Sequence, residues 1–331
     1  MTGAPRVEAA SRRPPPWRRL NRWFAGILAA LALFAPFLAN DVPLVAVVDG
    51  RWKFPAAQAF FGIPEPGPRD LTWKQWWSRL PPGGPDWAIM PPWPYGPLET
   101  DPDLILAGPS FAHPLGNDDT GRDVLARLLH GTSTALGIGL SASLLAMVIG
   151  TALGGLGALR RGIADGLVLR LIEVFLCFPV MFLVLVMAAF FRGSTAGVVA
   201  VLALAAWPSF ARIVRGEVLS LRERDWVLCA RGLGVPLRLL LWRHVFPQVR
   251  GPVLVTMAFA VGQMIVFEST LAFLGLGSGL QSNSWGSVLS QGKAFAHRGI
   301  WHLWLFPSVA ILAAVICCHA LADDLRDRRP D

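Results

Sequence analysis

The sequence predicts an all-α integral membrane protein with six spanning helices and a large extramembrane insert after the first. Three observations predict it. Hydrophobic residues make up 53% of the 331 residues and charged residues 16%, against about 25% charged in a typical soluble domain. The apolar residues collect in runs of about 20, the length that a spanning helix needs. Positive charge is almost all arginine, since Lys53, Lys74 and Lys293 are the only lysines, and it falls in short blocks between those runs. The formal net charge of +8 therefore reads as membrane topology rather than nucleic-acid binding.

Along the chain, residues 1–22 form a basic, Pro-rich tail carrying Arg12, Arg13, Arg18, Arg19 and Arg22. The first span covers residues 23–40, with its apolar run at Trp23–Ala39. A signal peptide has the same charged front and apolar middle, but Asn40-Asp41-Val42-Pro43 offers no small-x-small cleavage site, so the span is read as retained. Residues 41–130 are the insert and a short interfacial helix. The part up to 112 is rich in Pro, Gly and Trp, and its prolines argue against long helices. The stretch Trp73–Trp77 suits either the headgroup level, where indole is favoured, or a small packed domain. Residues 131–322 form a five-helix core, with apolar runs Leu136–Leu159, Leu167–Phe191, Ala196–Val214, Pro252–Leu276 and His302–Ala322. The first of these is Gly- and Ser-rich, which lets helices approach closely. Pro179, Pro208 and Pro307 lie in or beside the runs, where neighbouring helices can re-satisfy the freed carbonyls. Residues 323–331 are a tail. With the N-terminal arginines inside, the densest arginine block, Arg212–Arg250, also falls inside, and so do both termini.

Four cysteines, Cys177, Cys229, Cys317 and Cys318, form no CxxC pair and no disulfide framework. Cys317, Cys318 and His319 are adjacent, which is poor spacing for a tetrahedral metal site and reads as packing. No metal site is expected.

The loop 215–248 is the most informative segment. Val218, Leu221, Asp225 and Leu228 keep helical spacing with arginines between them. Gly232, Gly234 and Pro236 then stop the helix, and a second helical piece, Leu237–Phe246, ends at Pro247. A short helix, a tight Gly turn and another helix suit docking into a groove on a partner; a solvated connecting loop has the same pattern.

Asp225-Trp-Val-Leu-Cys-Ala-Arg-Gly-Leu-Gly234, followed by His244-Val-Phe-Pro247, resembles the EAA loop of ATP-binding-cassette importer permeases. That family usually has Glu at the position of Asp225 and Ala at those of Cys229 and Gly232. Three more segments resemble its dipeptide and oligopeptide branch: His113–Arg127, Glu268–Gly277 with Ser284-Trp-Gly286, and Leu321–Asp327. The resemblance spans residues 113–327 in order. The insert, with Trp52-Lys-Phe-Pro55 and Trp87–Tyr95, is similar to the subgroup that handles longer peptides and microcin C.

The resemblance implies the type I importer permease fold and a multi-pass place in the bacterial inner membrane. It implies an ATPase-coupling element of Arg222, Asp225, Ala230, Arg231, Leu233, Gly234 and Pro247. It also implies a second homologous permease, two ATP-binding subunits or one fused dimer that hold ATP and Mg, a periplasmic binding protein, and transport by alternating access. Gly116, Asp118, Gly121, Arg122 and Asp123 stand at the outer start of the second span. They would either fix an interfacial helix, Arg122–Leu129, against headgroups or meet a binding protein. Gln263 and Glu268 are candidates for the translocation path, because a carboxylate in a span costs about 3 kcal/mol if lipid-exposed; packing near the outer interface is the alternative for Glu268. The residues Gly286–Lys293 miss the phosphate-loop spacing, and no HExxH or GxSxG occurs, so no catalysis is expected here. A gradient-driven secondary transporter or channel is the runner-up. It would need broken helices or intramembrane carboxylates and two related halves; no inverted repeat is visible. A membrane-embedded enzyme would need clustered acids or histidines, whereas the main loop is mostly arginine.

Overall fold

The structure is a computed structural model that describes residues 16–327 except 62, 64–66, 69–70, 82–83, 161, 192, 237–238, 240–242, 244–245, 278 and 280–282. Five helices are long and apolar enough to cross a bilayer: α1 (Pro16–Leu38), α4 (Val124–Arg160), α7 (Thr195–Arg222), α9 (Phe246–Phe273) and α11 (His302–Arg326). Two short helices, α2 (Pro55–Phe60) and α3 (Trp73–Ser78), lie in the insert. Between α4 and α7 stand α5 (Ile163–Cys177) and α6 (Val180–Phe190), which make a sixth crossing if taken as one bent span. The helices α8 (Asp225–Gly232) and α10 (Trp285–Phe295) are the other α-helices among the described residues that bear on the site.

The run Leu167–Phe191, predicted as one span, is instead broken by a 90° bend between α5 and α6. Pro179 has no N–H to give, and its ring drives the preceding residue out of helical geometry. Phe178 accordingly sits at φ −87°, ψ 140°. Pro36, Pro208 and Pro307, by contrast, stay inside helices.

The predicted interfacial helix Arg122–Leu129 is not a separate element. It is the start of α4, 37 residues long and unbroken through the polar stretch His130–Thr134. Packing holds that stretch helical. The Ser133 hydroxyl donates to the Ala32 carbonyl of α1, and the Trp285 indole of α10 donates to the Leu128 carbonyl at 2.9 Å. Further along α4, Gly150 and Gly154 let α7 approach. A Cβ at Gly154 would lie 2.3 Å from the Ala211 carbonyl oxygen. This contact centres the main apolar core, where Ala146, Val201, Trp207, Phe210 and Val214 meet Met264 of α9.

The insert builds a three-stranded antiparallel sheet, which the sequence reading did not foresee. Strand β1 (Val45–Val48) lies between β2 (Arg51–Lys53) and β3 (Trp87–Ile89). Ala46 and Val48 pack on Trp73 and Trp76, both buried. The packed-domain reading of this stretch therefore holds for Trp73 and Trp76, and the headgroup reading does not. Thr72 and Gln75 close a capping box on α3, which fixes its first turn.

The insert is stitched to the bundle. Asn40 N–H donates to the Trp93 carbonyl at 3.1 Å, and Trp93 N–H to Leu38 at 3.0 Å. The bundle thus has an insert end, with the C-terminus of α1 and the N-terminus of α4. At its far end Arg22 of α1 forms a bidentate pair with the buried Asp324 of α11, at 2.9 and 3.0 Å. The beginning of α1 and the end of α11 therefore share one face. The boundaries predicted at 22/23 and 322/323 fall inside helices, because α1 starts at Pro16 and α11 runs to Arg326.

Candidate functional site

Three sets of site residues were expected: one at each end, and Gln263 with Glu268 along the path. At the insert end the five predicted residues meet in a buried polar knot. Asp118 is 0% exposed. Its Oδ1 accepts from the backbone N–H groups of Thr120 and Arg122 at 2.8 and 2.9 Å and from the Thr120 hydroxyl at 2.8 Å. Its Oδ2 accepts from Arg122 Nε at 2.8 Å and Arg127 Nη1 at 2.5 Å. Burial pushes the Asp118 carboxyl up, but the Arg127 charge, those N–H groups and Arg122 together hold it below its ordinary 3.8. Asp119 moves the other way, raised by burial and by the Asp118 charge.

Asp123 begins α4. Its Oδ1 accepts from the Ala126 N–H at 2.7 Å and the Trp93 indole at 3.1 Å, while its Oδ2 lies 2.7 Å from His113 Nδ1. It therefore caps the orphan donors of that helix and ties it to the insert. Gly116 and Gly121 both adopt positive φ, and a Cβ on Gly121 would lie 1.8 Å from the Asp101 carbonyl oxygen. Only glycine fits that crossing. The knot reaches across the fold through Arg127, 1% exposed, which donates to Gln291 and, at 3.3 Å, to Ser287 of α10. His302 of α11 lies 3.1 Å from the Asn117 carbonyl oxygen.

The Asp118 and Asp123 carboxylates are buried and each oxygen has a hydrogen-bond partner within the knot, while Arg127 Nε is buried without one. The arrangement fixes the entry of α4 against α10 and α11, and it leaves the Asp118 and Asp123 carboxylates no free face for a partner. Sequence reasoning missed His113, Arg127 and His302 as members. Arg127 had a signal, four residues after Asp123 on one helix face. His302 had none, since its contact is set by how α11 starts.

At the far end the expected element divides. Arg222 is not displayed for docking. It is buried, and its Nη1 donates to the carbonyls of Ala158 and, at 3.2 Å, Leu159. It caps the C-terminus of α4, where carbonyls lack intrahelical partners. The predicted stripe Val218–Leu221–Asp225–Leu228 is also not one helix. Val218 and Leu221 are buried on α7, which ends at Arg222, and Asp225 opens α8.

The remainder forms a projecting unit. Val227 is buried and holds α8 to the bundle, while Leu228 and Trp226 are exposed and Leu233 is 85% exposed. Asp225, exposed, sits in the first turn of α8, where a carboxylate suits the helix dipole. Ala230 is half-buried, and Arg231 belongs to α8 by its backbone. Gly234 adopts φ +80°, and the Val235 N–H donates to the Ala230 carbonyl at 3.1 Å. That six-to-one bond with a left-handed glycine is a Schellman stop. Pro247 lies within α9 (Phe246–Phe273), so the helix runs on beyond it rather than stopping there. Most of the predicted piece Leu237–Phe246, with His244, lies outside the described residues.

Gln263 and Glu268 are not brought together. Gln263 is exposed, whereas Glu268 is 1% exposed, receives the Ser269 hydroxyl at 3.4 Å and has the Ser284 side chain beside it. Among the described residues no group of three or more His, Cys, Asp or Glu could hold a metal ion.

A bundle of five or six apolar crossings, with a short helix displayed at one end, defines a polytopic membrane protein. Residues 146–328 match the family of binding-protein-dependent transport system inner membrane components. The glutathione transport system permease protein GsiD of Pectobacterium atrosepticum is 35% identical over 69% of this chain and 75% of its own. The oligopeptide transport system permease protein OppC of Haemophilus influenzae is 35% identical over 71% and 77%. An inward-facing form of the MetNI methionine transporter shares the fold, with a TM-score of 0.52 at 16% identity, covering 62% of this chain and 98% of that one. The chain belongs to this family: it is a multi-pass inner-membrane permease subunit of a binding-protein-dependent ABC importer. The gradient-driven reading is set aside. The family match begins beyond the knot and the insert.

Proposed function

We propose that this subunit imports peptides or peptide-like compounds, and that α8 with its Gly234 turn is where a separate ATPase subunit engages it. The observation that carries the coupling reading is the exposed apolar surface of α8: Trp226, Leu228 and Leu233 face outward on a helix anchored by Val227. Short helices of this kind dock into grooves on partners. Two ATPase subunits, or one fused pair, hold ATP and Mg and push on this element. A second homologous permease completes the path, and a periplasmic binding protein delivers the substrate. Transport proceeds by alternating access. Both termini face the cytoplasm, which agrees with the Arg22–Asp324 pairing and with the arginine asymmetry. The peptide substrate class rests on relatives that are themselves peptide and glutathione permeases.

The test is co-purification with the candidate ATPase in mild detergent. The intact chain should retain it. Leu233→Glu and Gly234→Asp should lose it while both keep the second permease. Retention by both variants would remove α8 as the coupling element. For the substrate, cells lacking their own peptide importers should take up labelled oligopeptides when the whole complex is expressed. Uptake absent across a peptide library, with the complex intact, would withdraw the peptide assignment.

A further inference from the structure

The insert has a second apolar surface that its own core does not use. The small core under the sheet consists of Ala46, Val48, Trp73 and Trp76. Phe61, 76% exposed, and Ile63, 70% exposed, take no part in it. A water-facing domain of this size gains nothing by displaying such residues side by side.

Their position gives the reason. An unbroken line of rings runs from α1 into the insert. Phe34 lies 6.4 Å from Phe37, Phe37 lies 5.7 Å from Phe60, and Phe60 lies 5.4 Å from Phe61. Phe34 is exposed on the spanning part of α1. Phe37 sits next to Leu38, the last residue of that helix. The apolar window of α1 runs from Asn21 to Leu38, about 27 Å at 1.5 Å per residue, which nearly fills a hydrocarbon core. Phe37 and Phe60 therefore lie at the boundary between acyl chains and headgroups. Aromatic side chains are enriched at that depth.

The local sequence fits the same plane. Segment 51–63 carries Trp52, Phe54, Phe60, Phe61 and Ile63 together with Arg51, and Arg51 is exposed. Aromatic and basic residues combined on a short element describe a segment lying in the interface rather than crossing it. Helix α2 is six residues long, with Pro55 at its start and Phe60 at its end. It cannot span, and it presents its aromatic end beside α1.

We propose that residues 51–61 together with Ile63 form an interfacial anchor that rests the insert on the lipid of the adjacent leaflet. The occupant of this surface is the bilayer itself, because the surface is continuous with the exposed apolar face of α1. The anchor fixes the height of the sheet and of Trp93 above the membrane. It thereby steadies the insert beside the end of α1, where Trp93 is bonded to Leu38 and Asn40.

Accessibility of a nitroxide in the complete transporter, reconstituted into phospholipid vesicles, tests this. Cys177 and Cys229, the two exposed cysteines, are first changed to Ser. Labels are then placed at Phe61→Cys, at Ile63→Cys and at the exposed control Asp103→Cys. Since the two anchor side chains are exposed, these replacements leave the fold intact. Collision with oxygen should exceed collision with a water-soluble nickel chelate at positions 61 and 63, with the order reversed at 103. Nickel access at 61 and 63 equal to that at 103 would show an aqueous surface and overturn the proposal. Exclusion of both reagents would show a protein cover. If that exclusion appears only on adding the soluble binding protein, the segment is a receptor for it; if it is present from the start, it faces the second permease.

Discussion

At the insert end Asp118 and Asp123 are buried, and their carboxylates are taken up by Thr120, Arg122, Arg127, Ala126, Trp93 and His113. At the far end Asp225, Glu223 and Arg224 stand exposed around a helix held by Val227. Both ends draw on the same few residue types: carboxylates, arginines and positive-φ glycines. One end spends them on internal hydrogen bonds that lock four elements together. The other leaves its surface open and lets a single Schellman turn set the shape. A buried charge network is costly to disturb, since an unpaired partner stays in low dielectric. An exposed helix can lose a side chain with little effect on the fold. The difference agrees with the proposed role of the far end as the surface that a partner engages, while the insert end holds its register.

The strongest way to break this contrast is Asp118→Ala. It leaves Arg122 and Arg127 buried without their carboxylate, and the expected loss is about 3–5 kcal/mol. Thermal unfolding in detergent reads it; a melting temperature equal to that of the intact chain would mean the knot is not structural. Arg222→Ala should follow, at about 2 kcal/mol, because charge-assisted bonds to two α4 carbonyls are lost. Arg224→Ala, two residues on and exposed, should change nothing measurable; equal effects from the two would erase the distinction drawn at this end. Gly234→Ala should cost about 1 kcal/mol, from left-handed backbone strain alone, since an added Cβ meets no atom within 4 Å. Leu233→Ser should be neutral in stability and visible only in ATPase retention.

Acidity sharpens the same comparison. The folded Asp118 carboxyl lies below its ordinary 3.8, so its ionised form favours the folded state. That contribution is complete above 3.8 and disappears as pH falls through the lower folded value. The melting temperature of the intact chain should therefore drop below about pH 4, the ordinary carboxylate range. Asp118→Asn should flatten that part of the drop. Identical acid profiles for the two chains would contradict the assignment.

The sequence by itself determined where five of the apolar helices lie and how the arginines are distributed between them, but not the break in the run Leu167–Phe191. Burial of a run in lipid depends only on its length and composition. It also gave the turn at Gly234, a local matter of chain stiffness that the glycine signals directly. It placed Asp118, Arg122 and Asp123 correctly as a group, through spacing within one segment. The tertiary structure decided what spacing cannot carry. Arg222 reads as a displayed charge in the sequence, and becomes a cap because the end of α4 happens to lie beside it. The polar stretch His130–Thr134 reads as a boundary, yet α1 and α10 packed on either side keep it helical. Pro179 breaks its run whereas Pro208 does not, and the sequence offers no local cue for which proline neighbouring helices will absorb. The sheet of the insert needed pairing between strands some 40 residues apart. Long-range contacts of this kind depend on partners brought together only by the closed fold.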